Sequence, residues 1–157
     1  MEAVLTSPVG NLKVVVANNR LTSLCFTREQ ATPLPEDDTL LLVKEQLAAY
    51  FAGNRISFTL PLAPAGTAFQ QNVWQQLQAI PYGTTISYRQ LAHRLGGPRC
   101  IRAAAQANGQ NPIAIIIPCH RVIGSDGRLT GYAGGLDKKA FLLNLEGATV
   151  MNQITIF

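Results

Sequence analysis

The sequence predicts an α+β fold in two parts: a small antiparallel β-unit with a helix, then a mostly helical part containing a helix-turn-helix. Three observations carry this. Short β-rich runs separated by turn residues fill the first thirty positions. A stretch of linker composition, Pro61-Leu62-Ala63-Pro64-Ala65-Gly66, then breaks the pattern. Beyond it, two capping-box pairs, Thr67 with Gln70 and Ser87 with Gln90, each open a run with apolar residues at helical intervals. The domain boundaries follow as residues 1–66 and 67–157.

In order, Glu2 to Thr6 is the first strand, ended by the turn Pro8-Val9-Gly10-Asn11. Leu12 to Ala17 and Leu21 to Phe26 follow as strands across the hairpin turn Asn18-Asn19-Arg20, with Cys25 read as core. Residues 28–38, with Pro33 and Pro35, read as a loop. Asp38 or Thr39 then caps a helix whose Leu40, Val43, Leu47 and Phe51 share one face, and Gly53 stops it. Ile56 to Leu60 is expected to return as a strand. In the second part, Phe69, Val73, Leu77 and Ile80 line one helix, and Trp74 on their flank reads as packed core. Tyr88 to Leu95 and Arg99 to Ala107 form two short helices joined by Gly96-Gly97-Pro98, the form of a helix-turn-helix. The second of these is thin, built on Ala103, Ala104, Ala105 and Ala107, with Arg99 and Arg102 as its long side chains. It suits equally a tightly packed helix and one that approaches the floor of a narrow groove. Asp137 is expected to cap a last helix, Lys138 to Leu145, with Phe141, Leu142 and Leu145 inward. Residues 150–157 receive no assignment.

Composition narrows the function classes. Hydrophobic residues make up 47% of the 157 and charged residues 14%, the profile of a folded globular chain. No apolar run approaches the roughly 18 residues of a membrane span, and residues 1–4 do not begin a secretory leader. The expectation is a cytoplasmic protein without membrane association. Three cysteines without C-x-x-C spacing point to reduced thiols, and two histidines leave little for a metal site, so no metal or other cofactor is expected. The net charge of +4 conceals an asymmetry: Gln46 through Ser125 contain no Asp or Glu but hold Arg55, Arg89, Arg94, Arg99, Arg102 and Arg121. A surface basic by omission of acids suits a polyanion.

The stretch Ile113-Ala114-Ile115-Ile116-Ile117-Pro118-Cys119-His120-Arg121-Val122 concentrates the chemistry. Its isoleucines read as a strand buried on both faces and ended by proline, leaving Cys119 where a dry, rigid element stops. Thiolate is the nucleophilic form of cysteine, and a neighbouring imidazole is a usual means of producing it. The alternative is a small core cysteine beside a surface histidine. Glu146 adds a second clue, since a carboxylate at a helix C-terminus opposes the dipole and suggests a local partner. Gly131-Tyr132-Ala133-Gly134-Gly135 reads as a flexible wall beside a pocket. Cys100, near the start of the thin helix, reads as a bystander.

In order along the chain, Phe69-Gln70-x-x-Val73-Trp74, Ile80-Pro81-Tyr82-Gly83, Ser87-Tyr88, Arg102-Ala103, Asn111-Pro112, Ile117-Pro118-Cys119-His120-Arg121-Val122, Tyr132-Ala133-Gly134-Gly135 and Leu142-Leu143-x-x-Glu146-Gly147 resemble the 6-O-alkylguanine-DNA alkyltransferases, bacterial constitutive type. The resemblance covers residues 67–147 and, more loosely, the N-terminal strands. It implies a ribonuclease-H-like N-terminal unit and direct, single-turnover transfer of the alkyl group from 6-O-methylguanine, and 4-O-methylthymine, to Cys119. By the same resemblance His120 is the base, reaching Cys119 through a bridging water, Glu146 orients and polarises it, and Asn111 holds the turn that shapes the site. Arg102 replaces the flipped base in the duplex, while Tyr88 crowds the target phosphate and assists guanine's departure. Arg99, Ala103 and Arg121 join them as DNA contacts, and Tyr132, Ala133, Gly134 and Val122 line the alkyl pocket. The implied partner is double-stranded DNA containing 6-O-alkylguanine, bound through the minor groove by a monomer. Ile101 and Ala105 are departures beside the inserted arginine, and Phe141 stands where tryptophan is common. Two other classes remain: a Cys-His hydrolase, which needs an oxyanion site the sequence does not announce, and a lesion-binding protein without chemistry, against which Cys119 itself speaks.

Overall fold

The computed structural model describes residues 1–148, so the tail at 150–157 lies outside the described residues. It is α+β and divides into two compact units. The first holds Met1–Ala65 together with Pro112–Ile116; the second holds Gly66–Asn111 and continues from Ile117. The boundary expected at 66/67 left residues 112–116 in the C-terminal part, whereas they group with the N-terminal one.

In the first unit, β1 (Glu2–Leu5), β2 (Asn11–Ala17) and β3 (Arg20–Thr27) form an antiparallel sheet in sequence order. The β2–β3 hairpin closes through Asn18 and Asn19, both at positive φ (52° and 60°), the handedness a two-residue turn needs to follow strand twist. Leu12, Val14 and Val16 alternate inward on β2 and meet α1 (Asp38–Phe51), which lays down Leu40, Val43, Leu47 and Tyr50. The cap of α1 is Asp37, one residue before the expected position; its Oδ1 accepts from Leu40 N at 2.9 Å.

Three expectations fail here. Cys25 is exposed, because a register shift at Val15/Val16 puts Leu21 and Leu24 inward and turns Cys25 to the opposite face. Residues 56–60 form no strand: Gln46 Oε1 takes the Thr59 N–H at 2.9 Å, and Ile56 is 64% exposed. Pairing along β3 passes instead to single parallel bridges, Leu21 with Leu62 and Leu24 with Ile113. The third is the isoleucine run, which is buried as expected but is not a strand. After the bridge at Ile113 the chain reverses at Ile115, whose φ is +70°, and Ile116 N donates to Ala114 O at 2.8 Å. That is a γ-turn of the rarer hand, on a β-branched residue that resists positive φ. A second three-residue turn follows at Pro118, where Cys119 N donates to Ile117 O at 2.8 Å.

The second unit opens with α2 (Ala68–Gln78), whose Thr67–Gln70 capping box is present, as is the Ser87–Gln90 box of α3 (Tyr88–Leu95). A Cβ on Gly66 would fall 2.4 Å from the Trp74 ring, so this linker residue must be glycine for the indole to pack. Trp74 is buried and donates Nε1–H to Ala107 O at 2.9 Å, tying α2 to α4 (Ile101–Gly109). A 3₁₀ turn, Pro98–Cys100, links α3 to α4, so the α-helix starts two residues later than expected. Between them, α4 uses both properties of its alanines: Ala104 and Ala107 are buried, while Arg102 and Ala103 stay exposed. Residues Val122–Ile123 (β5) pair in parallel with Ile86–Ser87 (β4). The last helix, α5 (Leu136–Leu145), begins at Gly135 with no side-chain cap from Asp137. Its inward face is Lys139, Ala140, Leu142 and Leu143; Phe141 is 37% exposed, contrary to the core position expected of it, and Leu145 is only half-buried.

Candidate active site

Cys119, His120 and Arg121 form one 3₁₀ turn, all buried, directly after the turn at Pro118. In a 3₁₀ turn successive side chains diverge by about 120°, and no hydrogen bond joins the two among the described residues. His120 Nε2 lies 2.8 Å from Glu146 Oε2, which sits at the C-cap of α5. Arg121 donates Nε–H to Glu146 Oε1 at 2.8 Å, Nη2–H to Oε2 at 3.0 Å and Nη1–H to Ile80 O at 2.7 Å. The Arg121 guanidinium also lies 5.7 Å from the centre of the Tyr82 ring. The turn carrying Tyr82 favours glycine at Gly83, where a φ of +79° and a 3.0 Å approach of a Cβ to Glu146 O would strain any side chain.

These contacts decide the protonation states. Burial alone would raise the Glu146 pKa, but hydrogen bonds and charge from His120 and Arg121 outweigh it and hold it at about 2. Glu146 is therefore a carboxylate that can only accept. The His120–Glu146 spacing is that of an ion pair, yet burial lowers the imidazole pKa and Arg121 already balances the carboxylate. His120 is consequently neutral at pH 7, with its proton on Nε2 and its lone pair on Nδ1, a buried atom with no hydrogen-bond partner among the described residues. An oriented basic nitrogen beside a cysteine is the arrangement a general base needs.

Cys119 is 8% exposed, and burial pushes its thiol pKa up, opposed by Asn111 and by the charge of Lys139. Asn111 also donates Nδ2–H to Ile117 O at 2.7 Å, fastening the chain where it re-enters the second unit. Tyr88 donates its hydroxyl to Thr130 O at 3.3 Å, and burial, with the negative charge of Cys119 and Glu146 adding to it, raises the Tyr132 phenol pKa well above the ordinary value. Ala133 is exposed and Gly134 half-buried in the loop after Tyr132, while Val122 is fully buried in β5.

Arg99, Arg102 and Ala103 lie on the exposed side of the helix-turn-helix, with Arg89, His93 and Arg94 also exposed there. Arg121 does not join them. Each of its three nitrogens donates to Glu146 or Ile80, so it braces the site from within and is withdrawn from the DNA contacts expected of it. Two groups escaped the sequence reading. Asn108 is buried with Nδ2 3.5 Å from Cys119 O, at the outer limit of a hydrogen bond. Lys139 is fully buried; its spacing from Leu142, Leu143 and Glu146 put it on that face, a signal overridden by its charge.

Residues 68–148 match the DNA-binding domain model of 6-O-methylguanine DNA methyltransferase, and residues 1–64 match that family's ribonuclease-like domain. The chain belongs to the 6-O-methylguanine DNA methyltransferase family. Among family members, the methylated-DNA–protein-cysteine methyltransferase of Mycolicibacterium paratuberculosis is 53% identical over 156 residues, covering 96% of this chain and 94% of that one. The constitutive methylated-DNA–protein-cysteine methyltransferase of Bacillus subtilis is 45% identical over 150 residues, 89% of this chain and 91% of that one. The crystal structure of Mycobacterium tuberculosis OGT in complex with DNA is similar at a TM-score of 0.85 and 44% identity, covering 98% of this chain and 97% of that one.

Proposed function

We propose that this methyltransferase family member repairs DNA by moving the alkyl group of 6-O-methylguanine, and of 4-O-methylthymine, onto Cys119, once per molecule. The observation that carries the reading is the buried chain Arg121–Glu146–His120, which leaves a basic Nδ1 in the same turn as a buried thiol. The thiol proton passes to His120 Nδ1 through a bridging water. Sγ then forms a bond to the methyl carbon as the C–O6 bond breaks, and its electron pair leaves with guanine, which gains a proton from Tyr88. Asn111 steadies the turn behind the nucleophile, and Tyr132, Ala133 and Gly134 wall the pocket. The product is a thioether. Unlike the carbonyl of a thioester, it offers water no point of attack, which is why no turnover follows.

DNA is the partner, taken up through the minor groove by the exposed face of α4 with the protein acting as a monomer in the cytoplasm. Arg102 enters the stack in place of the flipped nucleotide, and Arg99 and Ala103 border it. No helix among the described residues is long and apolar enough to cross a membrane. Titrating excess methylated duplex against a known amount of protein is the test. Transfer should plateau at one methyl per protein, located on Cys119 by peptide mass; continued turnover would return the hydrolase reading. The added carbon sits in a buried turn, where overpacking costs about 1–3 kcal/mol, so the methylated form should melt below the free one in a calorimetric scan.

Arg102→Ala should slow repair of duplex DNA far more than reaction with the free alkylated base. Unstacking a base costs a few kcal/mol, and the free base does not need that step. Single-turnover rates on the two substrates check this, and equal losses would assign Arg102 to the pocket or the fold.

A further inference from the structure

Lys139 is a buried cation that the mechanism above leaves unused. It is fully buried on α5, and Nζ donates to Thr130 O at 2.7 Å and Gly131 O at 3.2 Å. It also lies 5.9 Å from the centre of the Tyr88 ring, and Tyr88 donates to the same Thr130 carbonyl. Among the described residues no carboxylate bonds it: Glu146 is engaged by His120 and Arg121, and Asp126 by Arg128. A buried ammonium held only by carbonyl dipoles and a ring face is costly, and an anion generated nearby would offset that cost.

We propose that Lys139 is a positioning residue of the transfer reaction, clamping the 130–131 segment against Tyr88 and serving as the counter-charge that makes the Cys119 thiolate accessible. This rests on the reading of Cys119 as acceptor. The reaction needs Cys119 to lose a proton inside a site whose burial disfavours any charge. Arg121 cannot help, because its charge is already balanced by Glu146. Lys139 is the cation that faces Cys119 electrostatically, and the thiolate in turn favours its protonated form. Burial brings the Lys139 pKa down to about 8, so the ammonium is charged at neutral pH and is lost as the medium turns alkaline. The other titratable groups facing the thiol are Tyr88 on α3 and Tyr132 in the loop, both neutral at pH 7 because burial raises their pKa values. His120 also faces Lys139, whose charge adds to burial in keeping the imidazole neutral until it receives the thiol proton. The same ammonium therefore holds the pocket wall and biases the nucleophile.

The experiment is a pH profile of single-turnover methyl transfer and of thiolate absorbance near 240 nm, on full-length wild type, Lys139→Met and Lys139→Arg. The Cys119→Ser spectrum is subtracted to isolate the nucleophile. Lys139→Met should raise the thiol midpoint by about one unit, lowering the rate about tenfold at pH 7, and the rate should recover as pH rises. Lys139→Arg, which keeps the charge, should restore most of the neutral-pH rate. An unchanged midpoint in Lys139→Met, or a loss that Arg does not repair, overturns the proposal. Should Lys139→Met not fold, reciprocity provides the second measurement: the Lys139 ammonium, followed by NMR of labelled lysine, should titrate lower in Cys119→Ser than in wild type. Equal values overturn the proposal as well. If Cys119 were not the acceptor, Cys119→Ser would keep transferring methyl groups, a failure distinct from either of these.

Discussion

Replacing Cys119 by serine should abolish methyl transfer and leave binding to alkylated duplex unchanged. The two side chains are nearly the same size, and the exposed face of α4 that carries Arg102 is not disturbed by the exchange. What changes is the nucleophile. A thiol of ordinary pKa is a few per cent thiolate at pH 7, and although burial raises the Cys119 pKa, the proposed mechanism sends its proton to His120 Nδ1. Serine has no comparable ionised fraction, and a neutral hydroxyl does not displace guanine from a methyl carbon. Retained transfer would move the chemistry to Cys25, which is exposed in the first unit, or to Cys100 at the start of α4. Radiolabel transfer measures the reaction, and a gel-shift titration with the methylated duplex separates binding from it.

The second large effect is expected at Glu146. Glu146→Gln removes the charge that balances Arg121, leaving a buried guanidinium without its counter-ion, and breaking a buried pair in this way costs about 3–5 kcal/mol. An amide can donate as well as accept, so it no longer fixes the His120 proton on Nε2, and transfer should fall together with stability. Combining it with Arg121→Met should recover part of the stability but little of the activity, because the imidazole remains unanchored. Urea unfolding at pH 7 measures the first effect and single-turnover kinetics the second. A cost below about 1 kcal/mol, the level of an exposed pair, would contradict the buried network.

The same site predicts how the wild type responds to acid. The Glu146 pKa is depressed, from an ordinary 4.5 to about 2, so its contribution is present above 4.5 and is lost as pH falls toward 2. His120 acts in the same direction from a higher pH. Its folded pKa lies below 6.5, so the unfolded chain takes up that proton first and stability begins to fall as pH drops below 6.5. Glu146→Gln should lose the lower limb and keep the upper one.

What could be read from the chain depended on how far apart the interacting residues lie. The capping boxes Thr67–Gln70 and Ser87–Gln90 and the Asn18–Asn19 turn are present because each is completed within four residues. Cys119, His120 and Glu146 were legible through motifs, and the odd placement of a carboxylate at a helix C-terminus already implied a partner. The partner itself was not legible. His120 and Arg121 lie 26 and 25 residues from Glu146, so a basic residue in a stretch free of acids was read as a DNA contact. Cys25 was misread because Thr22 is an extra residue in its own strand, opposite Val15/Val16, and strict alternation counted from Leu21 puts Cys25 inward where the bulged strand puts Leu24.

The sequence by itself determined the two-part α+β order and the helix-turn-helix with exposed Arg99 and Arg102, since these rest on composition, period and short spacing. Only the tertiary structure decided that the isoleucine run turns at Ile115 instead of running as a strand, and that residues 112–116 join the first unit. It alone decided that Arg121 turns inward and that Lys139 is buried with its Nζ on the Thr130 carbonyl. In each case the decision belongs to partners distant along the chain. A β-branched run is apolar whether extended or turned, and a long cation enters the core when carbonyls or a carboxylate from elsewhere compensate its charge.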